Sequence, residues 1–137
     1  SFMDNRTKNN MCICFKGEVD AEELMSILPE DYIGYVVIDG DVYYNEKRDI
    51  RLSGSLFVMG NIKARESKIF IDGDLYCETD IVAKEIISTG NVAIRGDNKN
   101  LYAVTALGNI FLRPIMFDKR VGHINQVFIN NTGDYLW

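Results

Sequence analysis

The chain has 137 residues, 47% hydrophobic and 26% charged, with a formal net charge of -5 at pH 7. That is enough chain for one core of ordinary composition, and the acidic balance disfavours nucleic acid and anionic membrane surfaces, both of which require a cationic footprint. No apolar run reaches membrane-spanning length, and three cysteines, with no secretory pattern near the start, point to reduced thiols in the cytoplasm.

Residues 1–10 are polar and are expected to form a tail. Met11 to Lys16 has the pattern of a strand, and Asp20-Ala21-Glu22-Glu23 opens a helix as a capping box, with Asp20 as N-cap and Glu23 reaching back. Leu24, Ile27 and Leu28 give this helix an apolar stripe, and Pro29 stops it. Two turns of helix do not stand alone in water, so the segment is expected to cover an open end of the strand-rich region C-terminal to it.

That region is repetitive. An apolar residue, any residue, Gly, a small polar residue and then apolar-x-apolar recurs at Ile38-Asp39-Gly40-Asp41-Val42, at Leu52 to Val58, at Val58 to Ala64, at Ile71 to Cys77, at Ser88 to Ile94 and at Ala106 to Leu112. Gly54, Gly73, Gly90 and Gly108 are separated by 19, 17 and 18 residues, and Gly60, Thr79 and Gly96 by 19 and 17. Apolar residues alternate within each unit, as in half-buried strands. Two interleaved glycine series near one period predict an all-β fold, a short three-sided β-solenoid of about four turns with a short N-terminal capping helix. Hairpins with Gly-Asp turns are the competing architecture, but they supply no reason for the common period. Gly40, Gly54, Gly60, Gly73, Gly90, Gly96 and Gly108 are the predicted corners, where glycine tolerates positive φ and the next polar residue bonds backbone.

The organisation expected is residues 1–34 as tail, strand and helix, 35–112 as rungs, and 113–137 as a C-terminal cap, with Val127-Phe128-Ile129 as a strand, all in one globular domain. Leu52, Leu56, Val58, Ile62, Ile71, Leu75, Cys77, Ile81, Val92, Ile94, Ile110 and Leu112 are the predicted core.

Motifs for chemistry are sparse. Cys12, Cys14, Cys77 and His123 have the residue types of a zinc site but not its spacing, and the thiols are expected to be buried and structural. His123 has no nucleophile at motif spacing. Asp39-Gly40-Asp41 and Asp72-Gly73-Asp74 start like calcium loops, yet Tyr43 and Tyr76 replace the third oxygen ligand. Ser53-Gly54-Ser55 lacks the glycines of a nucleophile elbow. Neither a metal nor a cofactor is expected, nor an enzymatic activity. Tyr43, Phe57, Tyr76 and Phe111 are instead predicted to form an outward aromatic stripe, either a protein-binding surface or the bed of a terminal segment.

The tandem glycine units between about residues 37 and 112 resemble those of bactofilins and related polymer-forming bacterial proteins, which implies a right-handed triangular coil assembling end to end. The helix before the repeat and the irregular C-terminal segment depart from that family and imply blocked ends. Hexapeptide-repeat acyltransferases are similar in period, but their glycine directly follows the inward aliphatic residue, and no histidine lies in these rungs. The expected function is therefore a non-enzymatic protein-binding or assembly module, contacting a protein partner or its own copies. The alternative is an acidic immunity protein that neutralises a toxin.

Overall fold

The computed structural model describes residues 11–112 and the backbone of Gln126–Ile129. The chain winds as a β-solenoid of about five turns. The first side of the coil is a sheet of six parallel strands: β1 (Cys12–Lys16), β3 (Tyr35–Asp39), β6 (Ser55–Val58), β8 (Leu75–Cys77), β10 (Val92–Ile94) and β12 (Ile110–Leu112). A second sheet bends around one edge and supplies the other two sides. It contains β2 (Val19–Asp20), β4 (Val42–Tyr43), β5 (Ile50–Ser53), β7 (Ile62–Asp72), β9 (Ile81–Ser88), β11 (Asn100–Ala106) and β13 (Gln126–Ile129). In β7 the register breaks between Ala64 and Lys68, where the long strand turns from the second side to the third.

All twelve predicted core residues are buried, none more than 6% exposed. Each stacks on its counterpart one winding away, as Leu56 on Leu75 and Val58 on Cys77. Burying such side chains stabilises by about 1.5–3 kcal/mol each. The third side adds a ladder of Ile50, Ile69, Ile86 and Val104.

Both glycine series line up along edges of the column. The amide of Gly90 donates to the Gly73 carbonyl at 3.0 Å, and that of Gly108 to Gly90 at 2.8 Å. The reason for glycine differs from the expectation. Among the described glycines only Gly17, Gly54 and Gly73 have positive φ. At Gly90 and Gly108 the constraint is close approach instead: a Cβ there would stand 2.9 Å from the glycine carbonyl of the winding below.

The residue after each glycine forms a second ladder. Asp74 Oδ1 accepts the Asn91 amide at 2.8 Å, and Asn91 Oδ1 accepts the Asn109 amide at 2.8 Å. Along the other edge Asp41 Oδ1 accepts from the Asn61 amide at 2.7 Å, Asn61 Oδ1 from Asp80 at 3.0 Å, and Asp80 Oδ1 from Asp97 at 2.8 Å. The amide of Asn61, aided by the Lys63 ammonium, holds the Asp41 carboxyl below its ordinary range. In each of the two Asp-Gly-Asp segments the aspartate after the glycine is thus held by a backbone amide of the next winding, and Asp72 accepts from the Thr89 hydroxyl at 3.0 Å.

The coil starts one winding earlier than the glycine unit indicates, because β1 already pairs in register with β3 from Cys12↔Tyr35 to Lys16↔Asp39. In this first winding α1 (Ala21–Ile27) takes the place of the third side and packs beside β5. Asp20 caps it, accepting the Glu22 amide at 3.0 Å, and Leu28 ends it before Pro29. Two details correct the expectation. The engaged carboxylate is that of Glu22, which accepts from the Tyr44 hydroxyl at 3.0 Å and pairs with Arg48 at 2.7 Å. Ile27 is 50% exposed, the buried face being Ala21, Leu24 and Leu28. The strand expected at Val127-Phe128-Ile129 is present as β13, parallel to β11. The tail, His123 and the rest of the C-terminal cap lie outside the described residues.

Candidate protein-binding face

Side chains alternate along each strand of the first side, so every second residue leaves the column and faces outward. Strand register assembles these into one row across the face: Cys14, Val37, Phe57, Tyr76, Ala93 and Phe111. Tyr35 leans onto this row from the neighbouring one. Its ring centroid is 5.6 Å from that of Phe57, which in turn meets Tyr76 edge-on at 6.1 Å. These distances and angles lie in the favourable range for aromatic pairs.

Phe57, Tyr76 and Phe111 therefore share a face as predicted, and Tyr43 does not. Tyr43 pairs with Lys63 on the second side, because its corner glycine, Gly40, stacks with Gly60 at the end of the first side, and Phe57 lies three residues before that corner. The same count back from Gly40 gives Val37, the true member of the row in that winding. Tyr44, its neighbour, is buried. The helix does not cover the stripe either, since α1 sits against β5 on the third side.

Ala93 is the one small residue between two aromatics in this row, and it leaves a slot. The slot is walled by Phe57, Tyr76 and Phe111, floored by Ala93 and Leu75, and edged by Met59, Asp74 and Asn91. One side-chain oxygen each of Asp74 and Asn91 is held by a backbone amide. The Tyr76 hydroxyl donates to Glu78, and burial together with that carboxylate raises the phenol above its ordinary pKa, so it stays neutral at physiological pH. What the slot offers a ligand is an apolar, aromatic-walled recess.

The cysteines divide differently from the expectation. Cys77 is buried, its Sγ lying 3.5 Å from the carbonyl oxygens of Thr79 and Asp80, and burial pushes the thiol up to about 12. Cys12 and Cys14 are exposed, because even-numbered positions of β1 face outward while Ile13 and Phe15 pack against the core. Two thiols point out of the coil and one points in, so these three do not converge on a zinc site. Thiol titration with dithiobis(nitrobenzoate) at pH 8 is accordingly expected to find Cys12 and Cys14 at once and Cys77 only after denaturant is added. Rapid reaction of Cys77 in the native protein would contradict this burial.

No helix among the described residues is long and apolar enough to cross a membrane. Comparison with protein-family models, curated proteins and solved structures returns no match.

Proposed function

We propose that this chain is a non-enzymatic protein-binding module that works by lateral contact through the first side of the coil. The observation that carries the reading is the slot at Ala93, an aromatic-walled recess shaped for an apolar side chain, with one oxygen each of Asp74 and Asn91 at its edge held by a backbone amide. Half-buried aromatic walls around a small central residue are the make-up of an interface anchor point. Lateral contact is favoured over end-to-end assembly because α1 lies along the edge of β5, so a second coil stacking on that end would find one of three sides occupied by a helix.

A photoreactive benzoylphenylalanine at position 59, on the rim of the slot, tests this in the cell that makes the protein. A discrete protein adduct is expected from position 59 and none from position 43 on the second side. Phe57→Glu should weaken the partner by about 30-fold or more, as loss of an interface anchor does, and leave the folded state intact because Phe57 faces outward. Equal adducts from both positions, or full affinity in the Phe57→Glu variant, would sink the reading.

A further inference from the structure

The exposed thiols at the start of the coil form a pair that the binding face does not explain. Cys12 and Cys14 project from the same face of β1, and their sulfur atoms are 3.4 Å apart. β1 is the terminal strand of its sheet. We propose that Cys12 and Cys14 together chelate a soft monovalent d10 cation, cuprous copper being the type.

Distance favours a bridging ion over a disulfide. Two sulfurs held by one metal at about 2.3 Å each stand about 3.8 Å apart in tetrahedral geometry and about 4.6 Å apart in linear geometry. The observed pair reaches either by a small rotation of two exposed side chains. A disulfide needs the sulfurs at about 2.05 Å and Cα atoms within about 4.4–6.8 Å. Residues two apart in a strand already separate their Cα atoms by about 6.6–6.8 Å, at the limit of that window. Five backbone pairings to β3 hold β1 extended against the necessary bend.

The donor set selects the ion. Thiolates favour soft cations, and among the described residues no group of three or more His, Cys, Asp or Glu converges on a metal position. Two thiolates satisfy a d10 monovalent ion, whereas zinc calls for four ligands. On binding, both thiols release their protons to solvent and two copper–sulfur bonds form. The complex carries one negative charge and the copper remains cuprous. Because both ligands must lose a proton, uptake should strengthen as pH rises.

Anaerobic competition for Cu(I) against bicinchoninate tests the assignment. One ion per chain is expected, with a thiolate-to-copper absorption band and a monomeric mass unchanged by loading. Cys12→Ser and Cys14→Ser should each cost about 100-fold or more in affinity, since either one removes the intramolecular second ligand. Cys77→Ala should change nothing, and circular dichroism checks that each variant is folded. The proposal is overturned if either single serine variant binds as tightly as the native chain. It is equally overturned if half an ion per chain binds with dimerisation, which would mean a four-thiolate site shared by two copies, or if the pair closes to a disulfide under mild oxidation and takes no copper when reduced.

Discussion

Replacing Gly54 with Ala is expected to lower the free energy of unfolding by about 2–5 kcal/mol, measured by urea denaturation. Two separate costs meet at this corner. The backbone has φ +84, a left-handed conformation that costs a residue with a Cβ about 1–2 kcal/mol. The new Cβ would also stand 2.6 Å from the Tyr32 ring and 2.8 Å from the Gly34 carbonyl, and such overpacking adds about 1–3 kcal/mol. Gly17 separates the two terms, because it has φ +91 but nothing within 4 Å of the added atom. Gly17→Ala should cost only the conformational part, about 1–2 kcal/mol. Equal losses at the two positions would mean that the windings yield at the corner, and that close stacking does not fix glycine there.

The coil is legible in the sequence wherever its constraint is local and repeated. A corner with no room for a Cβ must be glycine in almost every winding, and an amide one winding up must find an oxygen below it, so Gly-Asp and Gly-Asn recur in the primary structure. Where the oxygen comes from elsewhere the signal fades. Phe15-Lys16-Gly17-Glu18-Val19 follows the unit with Glu in the polar place, and Tyr32-Ile33-Gly34-Tyr35-Val36 with Tyr, so neither corner stands out in the primary structure. That accounts for a coil of about five turns where the glycine series predict four. The third side has no glycine of its own, since the chain rounds that edge by a bulge within β7 or in continuous strand, so no corner marks it; its ladder of Ile50, Ile69, Ile86 and Val104 nevertheless recurs at 19, 17 and 18 residues, the period of the glycine series, and a reading confined to the glycine unit passes over it.

The candidate face is half legible, for a geometric reason. Phe57, Tyr76 and Phe111 follow from alternation within one unit. Placing a residue in the correct row of the correct side needs the count from its corner, and Tyr43 enters the predicted stripe by aromatic character alone. The slot is not legible at all. Ala93 has meaning only between Tyr76 and Phe111 in adjacent windings, 17 and 18 residues away along the chain. Sequence places the thiols of Cys12 and Cys14 inside because cysteine is usually buried. Their position in β1, whose inward places are filled by Ile13 and Phe15, turns both outward.

Truncation of Ile86 to Ala is expected to destabilise the fold by about 2–5 kcal/mol, and Ile86→Val by about 0.5–1.5 kcal/mol. Ile86 is fully buried, and register places it between Ile69 below and Val104 above. A void there removes contacts to both neighbours at once. In a coil whose stability is a sum of adjacent-winding interfaces, damage to a central rung weakens two of them. The helix supplies the control. Ile27 carries the same side chain in a segment that sequence alone marks as apolar, yet it is 50% exposed. Ile27→Ala should therefore stay within about 0.5 kcal/mol of the native chain, as substitutions at exposed sites do. A loss at Ile27 comparable to that at Ile86 would show that the outer face of α1 is packed in solution, and that the first winding is closed by more than the residues described.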